Sequence, residues 1–252
     1  MKKIILAILG LVAVGFIYKY YAQAPQTLEK EASQTSEEVA VGGLSFEKPK
    51  KSAHYESNTP PHGAILAASP LNVVIDFNFD LTPPSSITIE KDGQEYGVGE
   101  TKIDPSALAL RRDLASEMPD GLYKVSYSAC WSDTSCHDGY FQFAIDRNER
   151  DGFTDLRNQK EVDVRLSQIK FSPSKILISP GTKVTWINDD PVTHTVNTDS
   201  HPAHTYYLAQ NSRKLNKGDS YSAVFDKPGI YPYHCSPHAE SMQGQVVVTE
   251  TD

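Results

Sequence analysis

The segment "GIYPYHCSPHAESMQGQVVVTE" (residues 229–250) decides how the rest of this chain is interpreted. Two strand-like runs, "GIYPYHC" and "GQVVVTE", enclose a loop that is crowded with metal-binding side chains. Within eight positions the loop carries Cys235, His238 and Met242. A thiolate, an imidazole and a thioether brought together in this way predict a site for a soft or borderline metal ion.

A type 1 copper site needs one donor more than these three, namely a second imidazole. One thiolate, two imidazoles and a weak axial thioether make up a trigonal type 1 copper site. "VTWINDDPVTHTVN" (184–197) supplies the second imidazole from His194, which follows a strand and a polar turn. Zinc also binds cysteine and histidine, but structural zinc sites rarely use methionine, which favours copper. The spacing therefore predicts one copper ion per chain.

The chain around these loops has the pattern of an all-β protein. Proline, glycine, asparagine or aspartate recurs every eight to twelve residues between alternating apolar runs, which is typical of antiparallel β-sandwiches. The charged segment "RNERDGFTDLRNQKE" (147–161) divides the runs into two groups. We expect two sandwich domains of roughly 90 residues each, at 54–146 and 163–252, joined by a linker at 147–162. The runs are "NVVIDFNF", "SITIEKDG", "GLYKVSYSA" and "GYFQFAID", then "KILISPGTKVTWIN", "SYSAVF" and "GQVVVTE".

The second group resembles the cupredoxins, above all plastocyanin, amicyanin and pseudoazurin. "FSPSKILISPGTKVTWINDD", the His-Thr-Val at 194–196 and "LNKGDSYSAVFDKPGIYPYHC" carry the resemblance together with the ligand loop. It implies a Greek-key sandwich with one type 1 copper and a role in one-electron transfer. The family's ligands fall on His194, Cys235, His238 and Met242. Three residues separate His238 from Met242, where familiar members have two or four.

The first group is similar to the CopC family of periplasmic copper-binding sandwiches. "HYESNTPPHGAILAASPLNVVIDFNFDL" and "GLYKVSYSACWSDTSCHDGYFQFAID" carry this resemblance. Asp133 stands at the family's acidic copper ligand, but Ser135 stands where a second histidine is expected. His54 is far from any mature N-terminus, so a terminal histidine amine is absent. Asp133 with His137 is retained as a possible second metal site, and a structural or docking role is the main expectation.

The first group also holds two of the three cysteines, Cys130 and Cys136 in "CWSDTSC". Two cysteines six positions apart in an exported domain are expected to form a disulfide. That pairing leaves Cys235 as the single thiolate. A Cys-Cys-His metal site that includes His137 is the alternative.

The N-terminus predicts export. Lys2 and Lys3 precede an apolar run from Ile4, and residues 4–21 would anchor the chain unless it is cleaved after Ala24. A polar segment (25–53) has the composition of a flexible tether. The protein is therefore expected in the periplasm or on the extracytoplasmic face of a membrane, with membrane contact through residues 1–24.

The net charge and the remaining histidines argue against some classes of function. A formal net charge of −8 argues against nucleic-acid binding. No His-x-His pair occurs, so an oxidase cluster around His234 is not expected, and neither is enzyme activity. His201 and His204 are either ordinary loop histidines or a second metal site. The expected function is electron transfer between exported redox proteins; the alternative is copper storage, delivery or resistance with a transporter as partner.

Overall fold

The structure, a computed structural model, describes residues 39–41 and 43–249. The regular structure in this part of the chain is almost wholly β-strand, and most of the strands form two sandwiches, as predicted. Two short 3-10 turns, Leu208–Gln210 and Ser236–His238, complete the regular structure. The strands are β1 (Val39–Val41), β2 (Leu44–Phe46), β3 (Tyr55–Thr59), β4 (Ile65–Leu66), β5 (Asn72–Phe77), β6 (Ser86–Lys91), β7 (Gln94–Glu95), β8 (Gly97–Ile103), β9 (Ala109–Leu114), β10 (Gly121–Cys130), β11 (Cys136–Ile145), β12 (Thr154–Asp155), β13 (Glu161–Ser167), β14 (Lys170–Ser172), β15 (Lys175–Ile178), β16 (Thr182–Asn188), β17 (Asn197–Thr198), β18 (Ser220–Phe225), β19 (Gly229–His234) and β20 (Gln243–Val248).

The first sandwich packs a five-stranded sheet against a four-stranded one. The larger sheet has the order β4-β11-β10-β6-β7 and the smaller β3-β5-β9-β8. Strands β10 and β11 form the longest hairpin, and their register ends on Cys130 opposite Cys136. The two cysteines are disulfide-bonded, which confirms the predicted pairing. Strand β5 is buried along its whole length and forms the middle of the core.

The second sandwich packs the sheet β14-β13-β16-β18 against β12-β15-β20-β19-β17. Its strands show why the sequence alternates: every second residue of β16 is buried, and Trp186 is wholly enclosed. Strand β13 was not among the predicted runs, although "EVDVRLS" alternates cleanly between exposed and buried positions. It pairs in parallel with β16, so part of the segment predicted as a linker begins this sandwich. Strand β12 likewise adds to the sandwich by pairing with β15.

The two sandwiches share a core. Leu177, Ile230 and Val247 belong to strands of the second sandwich, yet they pack within the apolar cluster of the first. The backbone N–H of Ile230 donates to the carbonyl of Ser69 at 3.1 Å. Gly229 allows this close approach, because a Cβ there would lie 2.8 Å from the side chain of Leu71 and its φ is +147°.

A loop of the second sandwich, residues 199–207, reinforces this contact and is called here the bridging loop. The Tyr206 side chain is buried; its hydroxyl donates to the carbonyl of Ile230 and accepts from the N–H of Leu71, both at 2.9 Å. Arg111 donates to the carbonyls of Thr205 and Tyr206. The bridging loop is therefore held from both sandwiches.

A buried carboxylate of the first sandwich grips the same loop. Asp76 accepts hydrogen bonds from Ser57 of its own sandwich and from Ser200 and Thr205 of the bridging loop. Burial raises the pKa of Asp76, and these hydroxyl contacts only partly oppose the rise. The carboxylate is a fixed anchor for the start and the end of the loop.

Part of the segment predicted as a tether also contacts the first sandwich. Phe46 is fully buried, and Lys50 forms an antiparallel bridge with Tyr140. The polar composition of residues 25–53 concealed the short apolar alternation around Phe46. The predicted signal or anchor, residues 1–24, lies outside the described residues. Within residues 43–249 no helix has the length and apolarity needed to span a bilayer.

Candidate metal centres

Three of the predicted ligands meet at one end of the second sandwich. The sulfur of Cys235 lies 3.5 Å from Nδ1 of His194 and 3.5 Å from Nδ1 of His238. Cys235 directly follows β19, His238 closes the 3-10 turn that comes next, and His194 lies in the loop after β16. Pro237 at the start of that turn favours its tight backbone. The turn brings the two loop ligands together locally, and the sandwich supplies the third.

These distances suit a bound metal ion. Metal–sulfur and metal–nitrogen bonds of about 2.3 and 2.0–2.1 Å place the donor atoms about 3.6 Å apart around a tetrahedral ion. The observed separations of 3.5 Å need almost no adjustment. The donor set is soft and nitrogen-rich, as copper requires.

A carboxylate fixes the ring of His194. Nε2 of His194 lies 2.8 Å from a carboxylate oxygen of Asp190, and the imidazole is fully buried. Donation from Nε2 leaves the lone pair of Nδ1 directed at Cys235. Burial by itself would raise the pKa of Asp190, but hydrogen bonds from the N–H groups of Ile169 and Gln168 and from His194 bring the pKa below its ordinary value. Asp190 is a positioning residue that the sequence analysis did not identify.

The cysteine itself is enclosed. Cys235 has no exposed surface, and the N–H of Thr195 donates to its sulfur at 3.4 Å. Burial raises the pKa of the Cys235 thiol, and the hydrogen bond from Thr195 offsets the rise only in part. A metal ion that binds here must therefore displace a proton.

Met242 lies beside this group. Its side chain is buried in the same apolar cluster as Cys235. Its N–H donates to the carbonyl of His238 at 2.8 Å, and its carbonyl accepts from the N–H of Cys235 at 3.0 Å. These two hydrogen bonds hold the ends of the ligand loop together with three residues between His238 and Met242. The axial role of Met242 stays a prediction.

A second cluster was not predicted as a unit. His201 and His204, on the bridging loop, meet His234 at the end of β19. Nε2 of His234 lies 3.3 Å from Nδ1 of His201 and 3.2 Å from Nε2 of His204. Burial, followed by the proximity of His234 and His201, lowers the pKa of His204 to about 4. The other nitrogen of His234 lies 2.9 Å from a carboxylate oxygen of Asp199.

The site predicted in the first sandwich gains no third ligand among residues 43–249. Of the clusters of histidine, cysteine and carboxylate donors in this part of the chain, neither contains Asp133 or His137. Asp133 instead accepts from the N–H and the hydroxyl of Ser135, at 2.9 and 2.6 Å. The rings of His54 and His137 each pack against Trp131, at 5.2 and 5.1 Å between centroids. Metal binding by Asp133 and His137 stays a prediction.

The comparisons with known proteins divide the chain in the same way. Residues 158–249 match the family described as copper binding proteins, plastocyanin/azurin family, and residues 55–146 match the CopC domain. Amicyanin-alpha of Methylorubrum extorquens is 34% identical over 86 residues, which are 34% of this chain and 70% of amicyanin-alpha. Plastocyanin of Scenedesmus fuscus is 36% identical over 83 residues, 31% of this chain and 85% of that protein.

A solved structure, described as a novel purple cupredoxin from Nitrosopumilus maritimus, is also similar. It is 31% identical, with a TM-score of 0.32 over 35% of this chain and 99% of the cupredoxin. The two family matches and the two curated relatives confirm both resemblances inferred from the sequence. The chain belongs to the plastocyanin/azurin family of copper-binding proteins through residues 158–249, and it carries a CopC domain at residues 55–146.

Proposed function

We propose that this protein is an extracytoplasmic electron carrier that holds one type 1 copper. His194, Cys235 and His238 are the equatorial ligands and Met242 is the weak axial ligand. The observation that supports this best is the convergence of one sulfur and two Nδ1 atoms at 3.5 Å. Bound copper supplies a one-electron couple between Cu(I) and Cu(II).

The surrounding residues favour electron transfer over catalysis. Cys235 and Met242 are buried, and His194 is locked by Asp190, so the side chains of the site have little freedom to rearrange. A site whose ligands are all supplied by the protein has no position open to a substrate, in contrast to catalytic metal sites. His238 is the one ligand that is only partly buried, so it is the proposed route for electrons to and from a partner.

The test is the visible spectrum of the full chain loaded with copper(II). Cys235→Ser is expected to abolish the intense band of the thiolate, because an alcohol oxygen gives no comparable charge transfer. Met242→Gln is expected to retain copper and lower the reduction potential, since a weak axial ligand tunes the potential more than it holds the ion. His62→Gln, in the first sandwich, serves as the control and leaves band and potential unchanged. A strong band in Cys235→Ser, or complete loss of copper from Met242→Gln, would contradict the ligand assignment.

Copper handling is the second candidate function. The CopC domain favours it, because the two copper-related domains are packed into one body and share a core. In this function the protein stores copper or delivers it to a transporter at the membrane. An electron carrier retains its ion, whereas a delivery protein must release it.

The two functions differ in how fast copper leaves. For the electron carrier, copper(I) is expected to resist removal by a high-affinity chelator for hours, while the reduced protein passes its electron to an exported redox protein within seconds. Rapid loss to the chelator together with slow electron exchange would support copper handling. We propose the periplasm or the outer face of a membrane as the location, with residues 4–21 as an anchor unless the chain is cleaved after Ala24.

A further inference from the structure

The cluster of His201, His204 and His234 has the construction of a metal site. Each of the three side chains offers one ring nitrogen, and these nitrogens lie within 4.8 Å of one another. Two nitrogens bound to a tetrahedral ion at 2.0–2.1 Å are about 3.3 Å apart. His234 meets His201 at 3.3 Å and His204 at 3.2 Å.

The central histidine is oriented as metal ligands are. Nδ1 of His234 lies 2.9 Å from Asp199, so the lone pair of Nε2 is turned toward the other two rings. Asp190 does the same for His194 in the type 1 site. Ser236 lies 3.0 Å from Nε2 of His204 and is a competing hydrogen-bond partner for that nitrogen.

The bridging loop is held where the cluster needs it. Strand β17, which precedes the loop, pairs with the end of β19 so that Asn197 lies opposite His234. Asp76 of the first sandwich then accepts from Ser200 and Thr205, the residues on either side of the two loop histidines. The CopC domain thus fixes a loop whose histidines converge on the cupredoxin domain.

The cluster is open on one side. His201 is exposed, His204 is half-buried and His234 is buried. His201 also lines a cleft of about 470 Å³ between the sandwiches, with Phe77 and Leu108. Three histidine ligands with one open position are typical of exchangeable or substrate-binding metal sites rather than structural ones.

We propose that His201, His204 and His234 form a second copper site, distinct from the type 1 centre. Three neutral imidazoles suit copper and zinc, and at equal availability copper binds such nitrogen sites more tightly. The proposal does not depend on the type 1 assignment. It raises the expected content from one copper to two per chain, and it gives the CopC domain a part in shaping a copper site without ligands of its own.

The two centres lie on opposite sides of one extended segment of backbone. His234 and Cys235 are consecutive in extended backbone, so their side chains project to opposite sides of the strand. Each centre therefore receives one of two neighbouring residues. A ligand change in one can be tested for its effect on the other.

The experiment titrates copper(II) into the untagged full chain and counts retained copper after passage over a chelating resin. Wild type is expected to retain two ions, of which one gives the thiolate band and the other an electron paramagnetic resonance signal without strong colour. His201→Gln and His204→Gln should each retain one ion, with the thiolate band intact. Cys235→Ser should also retain one, but the colourless one. His62→Gln is the matched control and should retain two, whereas His137→Gln tests the alternative site in the first sandwich.

The variants separate this proposal from the type 1 assignment. Retention of a single coloured copper by wild type, unchanged in His201→Gln, would overturn the second site and leave the electron-carrier proposal standing. A second ion that survives both loop substitutions but is lost from His137→Gln would place it in the first sandwich instead. Zinc retained at this site in preference to copper would also refute the proposal. If the three histidines only bond to one another and bind no metal, wild type should retain a single coloured copper.

Discussion

Removing the hydroxyl of Tyr206 tests how the two sandwiches are joined. Tyr206→Phe removes one oxygen that bonds both Leu71 and Ile230, at 2.9 Å each. The ring can keep its apolar contacts with Val74 and Ala109. The substitution removes the hydroxyl acceptor of the Leu71 N–H and the hydroxyl donor to the Ile230 carbonyl, at about 1–3 kcal/mol for each lost contact of a buried group. Because the N–H of Leu71 is only partly buried, we expect a loss of about 2–4 kcal/mol in the free energy of unfolding.

The chain carries its own reporters for this measurement. It has two tryptophans, Trp131 in the first sandwich and Trp186 in the second, and both are buried. Urea unfolding of the metal-free full chain, followed by fluorescence in Trp131→Phe and Trp186→Phe backgrounds, reports each sandwich separately. With an intact Tyr206 the two transitions should coincide. In Tyr206→Phe both should shift to lower urea, and the melting temperature should fall by roughly 4–16 °C.

The neighbouring tyrosine provides the control. Tyr207 packs its ring against Tyr231 at 4.9 Å, but its hydroxyl forms no hydrogen bond within residues 43–249. Tyr207→Phe should therefore change stability by less than about 0.5 kcal/mol. A similarly small change in Tyr206→Phe, or sandwiches that already unfold independently when Tyr206 is intact, would refute the reasoning.

Three further predictions concern the metal site, the disulfide and alkaline stability. Asp190→Asn should weaken copper binding at the type 1 site 10–100-fold, measured by chelator competition, whereas Asp189→Asn, whose carboxylate faces Arg165, should not. Replacing both cysteines of the Cys130–Cys136 bridge by serine should destabilise the first sandwich by about 2 kcal/mol in urea, given a sequence separation of 6; no change in the Trp131 transition would contradict this. Burial raises the pKa of Tyr55 to about 12, so its contribution to stability is complete below pH 10 and lost as the pH rises from 10 to 12. Ultraviolet titration should therefore show this tyrosine ionising above the exposed ones, and ionisation of every tyrosine near pH 10 in a folded chain would disprove it.

The type 1 site could be predicted because most of it is local in sequence. Cys235, His238 and Met242 share one loop, so their proximity needs no knowledge of the fold. His194 lies 41 positions before the cysteine and was added because it follows a strand and a polar turn; the family resemblance then supported it. The role of Asp190 was missed, although it stands four positions before His194 within residues 184–197. A carboxylate at that distance is a usable signal once the histidine is taken as a ligand.

The second cluster depends on contacts that a linear pattern does not contain. His201 and His204 were considered as a pair, and His234 was considered alone as part of an oxidase motif. Their meeting depends on the path of the bridging loop, which is set by the pairing of β17 with β19 and by the anchor at Asp76. Strand β13 was missed for a simpler reason: its first two residues lie in the predicted linker, and its charged exposed residues obscured the apolar alternation of the rest.

The shared core changes what a domain boundary means in this chain. The CopC match ends at residue 146 and the plastocyanin/azurin match begins at residue 158, yet Leu177, Ile230 and Val247 from the second pack in the apolar cluster of the first. A chain that ends after residue 146 would expose the apolar face of the first sandwich, and a chain that begins at residue 158 would expose Leu177, Ile230 and Val247. Either half can therefore be exchanged for a relative only if the apolar surface of the replacement matches the sandwich against which it packs.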